Sequence, residues 1–182
     1  MVALAGRRTD AEGEPERFPL RNRARVERLI REAMMQCGAQ TLVSSAACGS
    51  DLLALEAAGE LGIRRRVILP FDLATFRKQS VVDRPGDWGP LFDRIVSEVG
   101  RAGDLVLLGL RPSEPSAYEE TNRAILSEGE TFSALADGRA RVAVIVWDGK
   151  PRDADDLTQQ FQQEAVARGW DVREVLSLAE VP

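Results

Sequence analysis

The sequence predicts an α/β fold, a doubly wound three-layer sandwich in which helices cover both faces of a mostly parallel sheet of about six strands. Short apolar stretches of strand length alternate along the chain with stretches of helical periodicity. Stretches such as "VILP" and "VAVIVW" are apolar almost throughout, which is typical of strands buried on both faces. No repeat or low-complexity segment interrupts this alternation, so we expect a single domain over residues 1–182.

The predicted strands are the apolar stretches that are too short for helices and are bounded by polar residues or glycine. In chain order they are Val2–Ala5, Thr41–Ser44, Arg66–Leu69, Leu105–Leu108, Val142–Trp147 and Asp171–Val175.

The predicted helices lie between these strands. In Arg23–Met35, the residues Val26, Leu29, Ile30 and Ala33 follow the i, i+3, i+4, i+7 spacing of one helix face. The other helices are Asp51–Leu61 after a loop of small residues, Leu91–Val99 before the fourth strand, Tyr118–Leu135 after it, and Asp155–Ala167 with Gly169 as its stop signal.

Charge and missing residue types exclude several classes of function. The net charge of −5 argues against general nucleic-acid binding, which requires many phosphates to be neutralised. All but two of the 24 basic residues are arginine, which fits either a local pocket for phosphate or carboxylate or the base composition of the genome. The chain has no histidine, and Cys37 and Cys48 lack the spacing of a metal site or redox pair, so we expect neither metal nor cofactor.

The apolar stretches also bear on location. They are of strand length, too short to span a bilayer, and the N-terminus lacks the basic-then-apolar pattern of a secretion signal. We therefore expect a cytoplasmic protein with no membrane partner.

The loop after the second strand carries the first candidate site. Its small residues Ser45, Ala46, Ala47 and Gly49 lead directly into a helix that begins at Ser50 or Asp51. Small residues allow a ligand to approach backbone N–H groups, and the positive end of a helix suits phosphate. The alternative is that these residues only allow tight packing of helix on sheet, with Ser50 or Asp51 as an ordinary N-cap.

Polar residues follow the other strands at the same edge, where ligands of parallel sheets bind. The candidates that could contact a ligand there are Gly6, Arg7 and Arg8 after the first strand, Pro70, Phe71, Arg77 and Ser80 after the third, Tyr118 and Asn122 after the fourth, and Asp148 after the fifth. One of Arg7 and Arg8 is expected to hold phosphate, unless both belong to a solvated turn. Trp88 either stacks on a base or anchors its loop, and Asp148 either holds a ribose hydroxyl or caps a turn.

The motifs "GRRTD", "SSAACGSDLLALEAA", "LPF", "FRKQSV", "YEETNRAIL" and "VIVWDG" together resemble the SLOG superfamily. These Rossmann-like domains are related to the LOG cytokinin-activating phosphoribohydrolases and to the DprA DNA-processing proteins. The resemblance covers roughly residues 2–150. It implies a pocket for a nucleotide or nucleotide-derived ligand, with phosphate near Gly49.

The sequence departs from the LOG enzymes after the fourth strand. Their Pro-Gly-Gly-x-Gly-Thr loop is replaced by "RPSEPSAYEETN", in which Glu119 is the nearest candidate for the catalytic glutamate. The leading hypothesis is therefore a sensor domain for a nucleotide-derived ligand, acting with an effector domain or protein or as a homo-oligomer. The alternative is an N-glycosidase of the LOG type acting on a nucleoside 5′-monophosphate, and whether the chain is an enzyme is left open.

Overall fold

A computed structural model describes residues 1–136, 140–153 and 155–178 and contains one six-stranded sheet. Its strands are β1 (Val2–Gly6), β2 (Thr41–Ser44), β3 (Arg64–Leu69), β4 (Leu105–Leu107), β5 (Val142–Trp147) and β6 (Asp171–Leu176). All neighbouring strands are parallel, in the order β4-β3-β2-β1-β5-β6. The predicted fold class, a doubly wound Rossmann-like sandwich, is confirmed.

The helices agree with the sequence analysis except at one place. They are α1 (Arg23–Gln36), α2 (Ser50–Glu60), α3 (Leu73–Ser80), α4 (Gly89–Arg101), α5 (Ala117–Leu135) and α6 (Leu157–Ala167), with a short 3-10 turn at Leu20–Asn22. The α3 helix was not predicted, because only Phe76 and Ser80 of its eight residues are buried and no apolar stripe develops. Its available signal was Asp72, whose carboxylate caps the helix by accepting a hydrogen bond from the Thr75 N–H at 2.9 Å.

Alternate residues of β1 divide the core between the two faces of the sheet. Val2 and Leu4 pack with the apolar residues of α1 to α4, whereas Ala3 and Ala5 pack with those of α5 and α6. The two layers of helices therefore bury both faces of the sheet, which explains why the central strands β1 and β5 are apolar throughout. No helix within the described residues is long and apolar enough to cross a lipid bilayer.

The winding of the chain reverses at β1. Strands β2, β3 and β4 follow outward on one side of β1, and β5 and β6 on the other. The connections on these two sides lie on opposite faces of the sheet, so the loops at the carboxyl ends of β1 and β5 diverge and leave a crevice. In open parallel sheets, such a switch point is where ligands bind.

Candidate functional site

A cleft of about 500 Å³ opens at this switch point and is referred to below as the switch-point cleft. Five separate segments contribute its walls. They are the end of β1 (Gly6, Arg7, Arg8), the loop after β2 (Ser45, Ala47, Asp51), the end of α3 (Gln79, Ser80), the start of α5 (Tyr118, Thr121, Asn122), and the segment that leads into α6 (Arg152, Asp153, Asp155–Thr158). The apolar side chains of Leu4, Ala5, Phe76 and Ile125 complete the lining.

Arg7 lies at the inner wall of the cleft, with only 3% of its side chain exposed. Its Nε is 3.2 Å from Asp148 Oδ1 and its Nη1 is 2.6 Å from Asp156 Oδ2. Its Nη2 donates to the Lys150 carbonyl at 2.8 Å. The guanidinium is therefore neutralised by two carboxylates of the protein and joins β1 to the connection between β5 and α6.

The two carboxylates that hold Arg7 have further partners. Asp148 also accepts from Arg17 Nη1 at 2.8 Å and does not line the cleft. Asp156 caps α6 by accepting from the N–H groups of Thr158 and Gln159. Burial opposes its ionisation, but hydrogen bonds from backbone N–H groups and the charge of Arg7 outweigh burial and lower the pKa of Asp156.

Arg8 differs from Arg7 in its exposure and in its partner. Its side chain is 28% exposed and its Nη1 donates to the Asp83 carboxylate at 2.7 Å. Asp83 is followed by Arg84, which is paired with Glu14 at 2.8 Å. These contacts form a chain of ion pairs that begins at Arg8. Of the two predicted arginines, only Arg8 has a substantial part of its side chain accessible to a ligand.

The small residues after β2 divide between the cleft and the protein interior. Ser45 and Ala47 line the cleft, whereas Ala46 is fully buried. Gly49 has a φ of +88°, and a Cβ atom placed on it would lie 2.8 Å from the Thr9 nitrogen and 2.9 Å from the Arg7 carbonyl oxygen. The close neighbour of Gly49 is therefore the backbone that follows β1.

The first turn of α2 is occupied by the same backbone. The Ser50 hydroxyl donates to the Arg7 carbonyl oxygen at 2.7 Å, and the Ser50 N–H donates to it at 3.2 Å. Neither Gly49 nor Ser50 lines the cleft. These contacts favour the interpretation that the small residues of this loop allow α2 to pack tightly against the sheet.

Asp51, one residue further along α2, does face the cleft although it is only 7% exposed. Its Oδ2 accepts from the Ala47 N–H at 3.2 Å. Burial raises the pKa of this carboxyl group to about 7, against the opposing effects of the Ala47 hydrogen bond and the Arg8 charge. Near neutral pH the group can therefore either donate or accept a hydrogen bond inside the cleft.

Tyr118 and Asn122 lie on the same wall of the cleft, as their i, i+4 spacing predicts. The Tyr118 hydroxyl is 2.8 Å from Ser80 Oγ. This hydrogen bond joins the start of α5 to the end of α3 across the cleft floor. The Asn122 amide donates to the Leu157 carbonyl at 3.2 Å. Phe71 does not line the cleft but packs edge-on against the Tyr118 ring at 5.8 Å, and Pro70 accepts a backbone hydrogen bond from Leu110.

Arg77, Glu119 and Trp88 also lie outside the cleft. Arg77 forms an ion pair with Asp93 at 2.9 Å on the protein surface. Glu119 pairs with Arg123 and lines a separate hollow between α5 and α6. Trp88 is fully buried and its Nε1 donates to the Pro85 carbonyl at 2.9 Å, so it anchors its loop rather than stacking on a ligand.

The segment before α6 was missed by the sequence analysis. Its one available signal was the run "KPRDADD", a polar stretch that follows β5 at the edge where ligands bind. Arg152 of this run lines the cleft, and its side chain has no ion-pair partner among the described residues. Arg152 is an exposed residue, yet desolvation by the surrounding wall and then the charge of Arg7 lower its pKa, against the opposing charges of Asp156 and Glu14.

Other reactive groups of the described residues offer little chemistry. No group of three or more His, Cys, Asp or Glu side chains is arranged there to hold a metal ion. Cys48 is buried, and burial raises the pKa of its thiol to about 11, so it carries almost no thiolate at neutral pH.

Comparison with known proteins finds a likeness among solved structures. No protein-family model and no curated protein matches the chain. Among solved structures, that of DNA processing protein A from Streptococcus pneumoniae is similar, with 16% sequence identity and a TM-score of 0.45. The match covers 94% of this chain and 57% of that one, so this chain spans little more than half the length of its structural neighbour.

Proposed function

We propose that this protein is a binding or sensor domain for a nucleotide or nucleotide-derived small molecule, which occupies the switch-point cleft. The observation that carries the proposal is the cleft itself, built at the reversal of the sheet from the carboxyl-end loops and lined by both polar and apolar groups. Its volume of about 500 Å³ lies within the range of small-molecule sites. The motif resemblance to the SLOG superfamily supports the same ligand class.

The lining suits a molecule with an apolar body and a hydrogen-bonding edge. Tyr118, Ile125 and Leu157 supply apolar surface, while Ser45 and Asp51 supply hydroxyl and carboxyl groups. A nucleoside combines the same two properties in its base and its sugar. The cleft thus matches the ligand class without any metal or cofactor being invoked.

The position of Glu119 argues against the catalytic role that the resemblance to the LOG enzymes implies for it. Its carboxylate pairs with Arg123 in the hollow between α5 and α6, outside the switch-point cleft. A glycosidic centre needs a carboxylate in contact with the sugar, and Glu119 does not reach the proposed site. N-glycosidase activity, the alternative drawn from the sequence, is therefore one of the outcomes that the experiment below distinguishes.

The test is a binding screen by thermal shift and calorimetry with nucleosides, their mono-, di- and triphosphates, cyclic nucleotides, nucleotide sugars and NAD derivatives. Ala47→Leu places a larger side chain in the cleft and is expected to weaken binding at least about tenfold, since the added carbon atoms occupy ligand space. Ala102→Leu adds the same side chain at an exposed position remote from the cleft and should leave the affinity for the ligand unchanged.

Two results would contradict this proposal. If Ala47→Leu bound as tightly as the wild type, the ligand would lie elsewhere. If chromatography detected free base released from a bound nucleoside monophosphate, and Glu119→Gln abolished that release, the protein would be an N-glycosidase.

A further inference from the structure

Asp51 is an almost fully buried acid of the switch-point cleft, and the protein satisfies only one of its two carboxyl oxygens. The residue is 7% exposed and lines the cleft. Its Oδ2 accepts from the Ala47 N–H at 3.2 Å, whereas its Oδ1 has no hydrogen-bond partner in the described part of the chain. Oδ1 is not sealed inside the protein and retains accessible surface. The cleft therefore offers a ligand one free oxygen of a buried carboxyl group.

Within the described residues, no cation lies at ion-pair distance from Asp51. Arg8 is the cation whose charge acts on the carboxyl group, but Arg8 Nη1 is held by Asp83 at 2.7 Å. A buried carboxylate without a paired cation is costly, because the protein does not replace the water that stabilised its charge. Burial therefore favours the neutral form of Asp51.

The other charged groups that line the cleft balance one another. They are Arg7, Arg8 and Arg152, and Asp153, Asp155 and Asp156. The Tyr118 hydroxyl also faces the cleft and is hydrogen-bonded to Ser80, and the Cys48 thiol on the loop before Asp51 stays uncharged at neutral pH. The lining is thus formally neutral when Asp51 is protonated, and it carries one uncompensated negative charge when Asp51 is ionised.

A ligand in the cleft favours the protonated form further. It displaces water from around Oδ1, and this loss of water destabilises a charged carboxyl group more than a neutral one. A neutral carboxyl group has one O–H to donate. Because Oδ2 accepts from Ala47, the proton belongs on Oδ1, the oxygen that the ligand can reach. The group then suits a ligand atom that accepts a hydrogen bond.

We propose that Asp51 determines ligand specificity as a hydrogen-bond donor, with its protonated carboxyl group donating from Oδ1 to a carbonyl oxygen or ring nitrogen of the ligand's base, so that binding takes up a proton. This inference rests on the proposed function and adds to it a specificity-determining residue and a dependence on pH. The affinity falls as the pH rises through neutrality, because an ionised Asp51 must be protonated before the ligand binds.

The experiment is calorimetry at pH 6, pH 7 and pH 8 with adenosine, guanosine, cytidine, uridine and their 5′-monophosphates as probes. For the probe that binds best, the wild-type affinity should be about tenfold lower at pH 8 than at pH 6, as expected for one group with a pKa of about 7. Titrations in buffers of different ionisation enthalpy should show net proton uptake on binding.

Three variants complete the design. Asp51→Asn keeps an N–H donor for the ligand and an acceptor for the Ala47 N–H but cannot titrate, so its affinity at pH 6 should lie within about threefold of the wild type. A phosphate on the probe titrates near about pH 6 with either protein, so the difference between the two proteins isolates Asp51. That difference should grow to about tenfold at pH 8.

The other two variants separate a direct contact from a change of charge. Asp51→Ala lacks the donor and should bind about tenfold more weakly than Asp51→Asn at pH 6. Asp87→Asn makes the same substitution as Asp51→Asn at an exposed position outside the cleft, and it should keep the pH dependence of the wild type.

The outcomes distinguish this inference from the function on which it rests. Proton release on binding, or a nucleoside affinity that stays constant or rises with pH, would overturn the inference while the proposed function stands. An unchanged pH dependence in Asp51→Asn would also overturn it, because the proton would then belong to another group. If the wild type binds no nucleoside or nucleotide, the proposed function fails and the inference fails with it.

Discussion

Arg7 and Asp156 form an ion pair in the interior of the protein, with 2.6 Å between Nη1 and Oδ2 and side-chain exposures of 3% and 0%. The two residues lie at opposite ends of the chain, one after β1 and the other at the start of α6. Their pairing closes the inner wall of the switch-point cleft. It also gives Arg7 a structural role that its place in the sequence did not reveal.

The first prediction follows from this burial. Arg7→Ala leaves Asp148 and Asp156 without their shared cation, and removing one partner of a buried pair typically costs roughly 3–5 kcal/mol of unfolding free energy. Urea denaturation should detect the loss. Arg77→Ala, which removes an exposed arginine paired with Asp93, is the matched control and should leave the denaturation midpoint nearly unchanged. Similar midpoints for the two variants would disprove the structural role of Arg7.

The second prediction concerns Gly49. An alanine there would combine a φ of +88° with a Cβ atom 2.8 Å from the Thr9 nitrogen, and we expect a loss of roughly 2–4 kcal/mol in unfolding free energy. Gly62→Ala is the control, since its φ is +69° but a Cβ atom there meets no atom within 4 Å. That variant should lose only about 1–2 kcal/mol, the cost of the left-handed conformation alone. Equal losses would mean that the contact with the backbone after β1 is unimportant.

Local sequence patterns predicted the sheet and five of the six helices well, because each depends on apolar periodicity within a short window. The α3 helix escaped because its eight residues bury only two side chains. Strand ends also predicted which loops would meet, so Arg8, Asp51, Tyr118 and others were placed at the edge that holds the cleft.

Distant contacts explain what the sequence could not predict. Arg7 and Arg8 are adjacent and chemically identical, and only the fold brings Asp156 to one and Asp83 to the other. Gly49 likewise has its closest neighbours in the backbone of residues 7–9, some forty residues away in the chain. Arg152 was missed because no periodicity or motif surrounds it.

The third prediction tests the hydrogen bond between Tyr118 and Ser80 across the cleft floor. Their oxygens are 2.8 Å apart, and removing either hydroxyl should cost roughly 1 kcal/mol of unfolding free energy. Tyr118→Phe and Ser80→Ala should not be additive, because the first substitution already removes the bond. Urea denaturation of both single variants and the double variant measures this coupling. Additive losses would show that the two hydroxyls act independently.

The last prediction concerns pH and Asp51, whose pKa burial raises from 3.8 to about 7. Between these values the folded protein retains a proton that the unfolded chain has released, so the unfolding free energy contributed by Asp51 falls as the pH rises and is fully lost above about pH 7.

Asp51→Asn keeps the shape of the side chain but cannot ionise. The variant should therefore be more stable than the wild type at pH 8, by roughly 1–3 kcal/mol, with the difference shrinking towards pH 4. Asp87→Asn makes the same substitution at an exposed position outside the cleft and is the control in the same urea titrations. If Asp51→Asn differed from the wild type by a constant amount from pH 4 to pH 8, Asp51 would be ionised throughout, and the cleft would hold a permanent negative charge instead of a group that gains and loses its proton near neutrality.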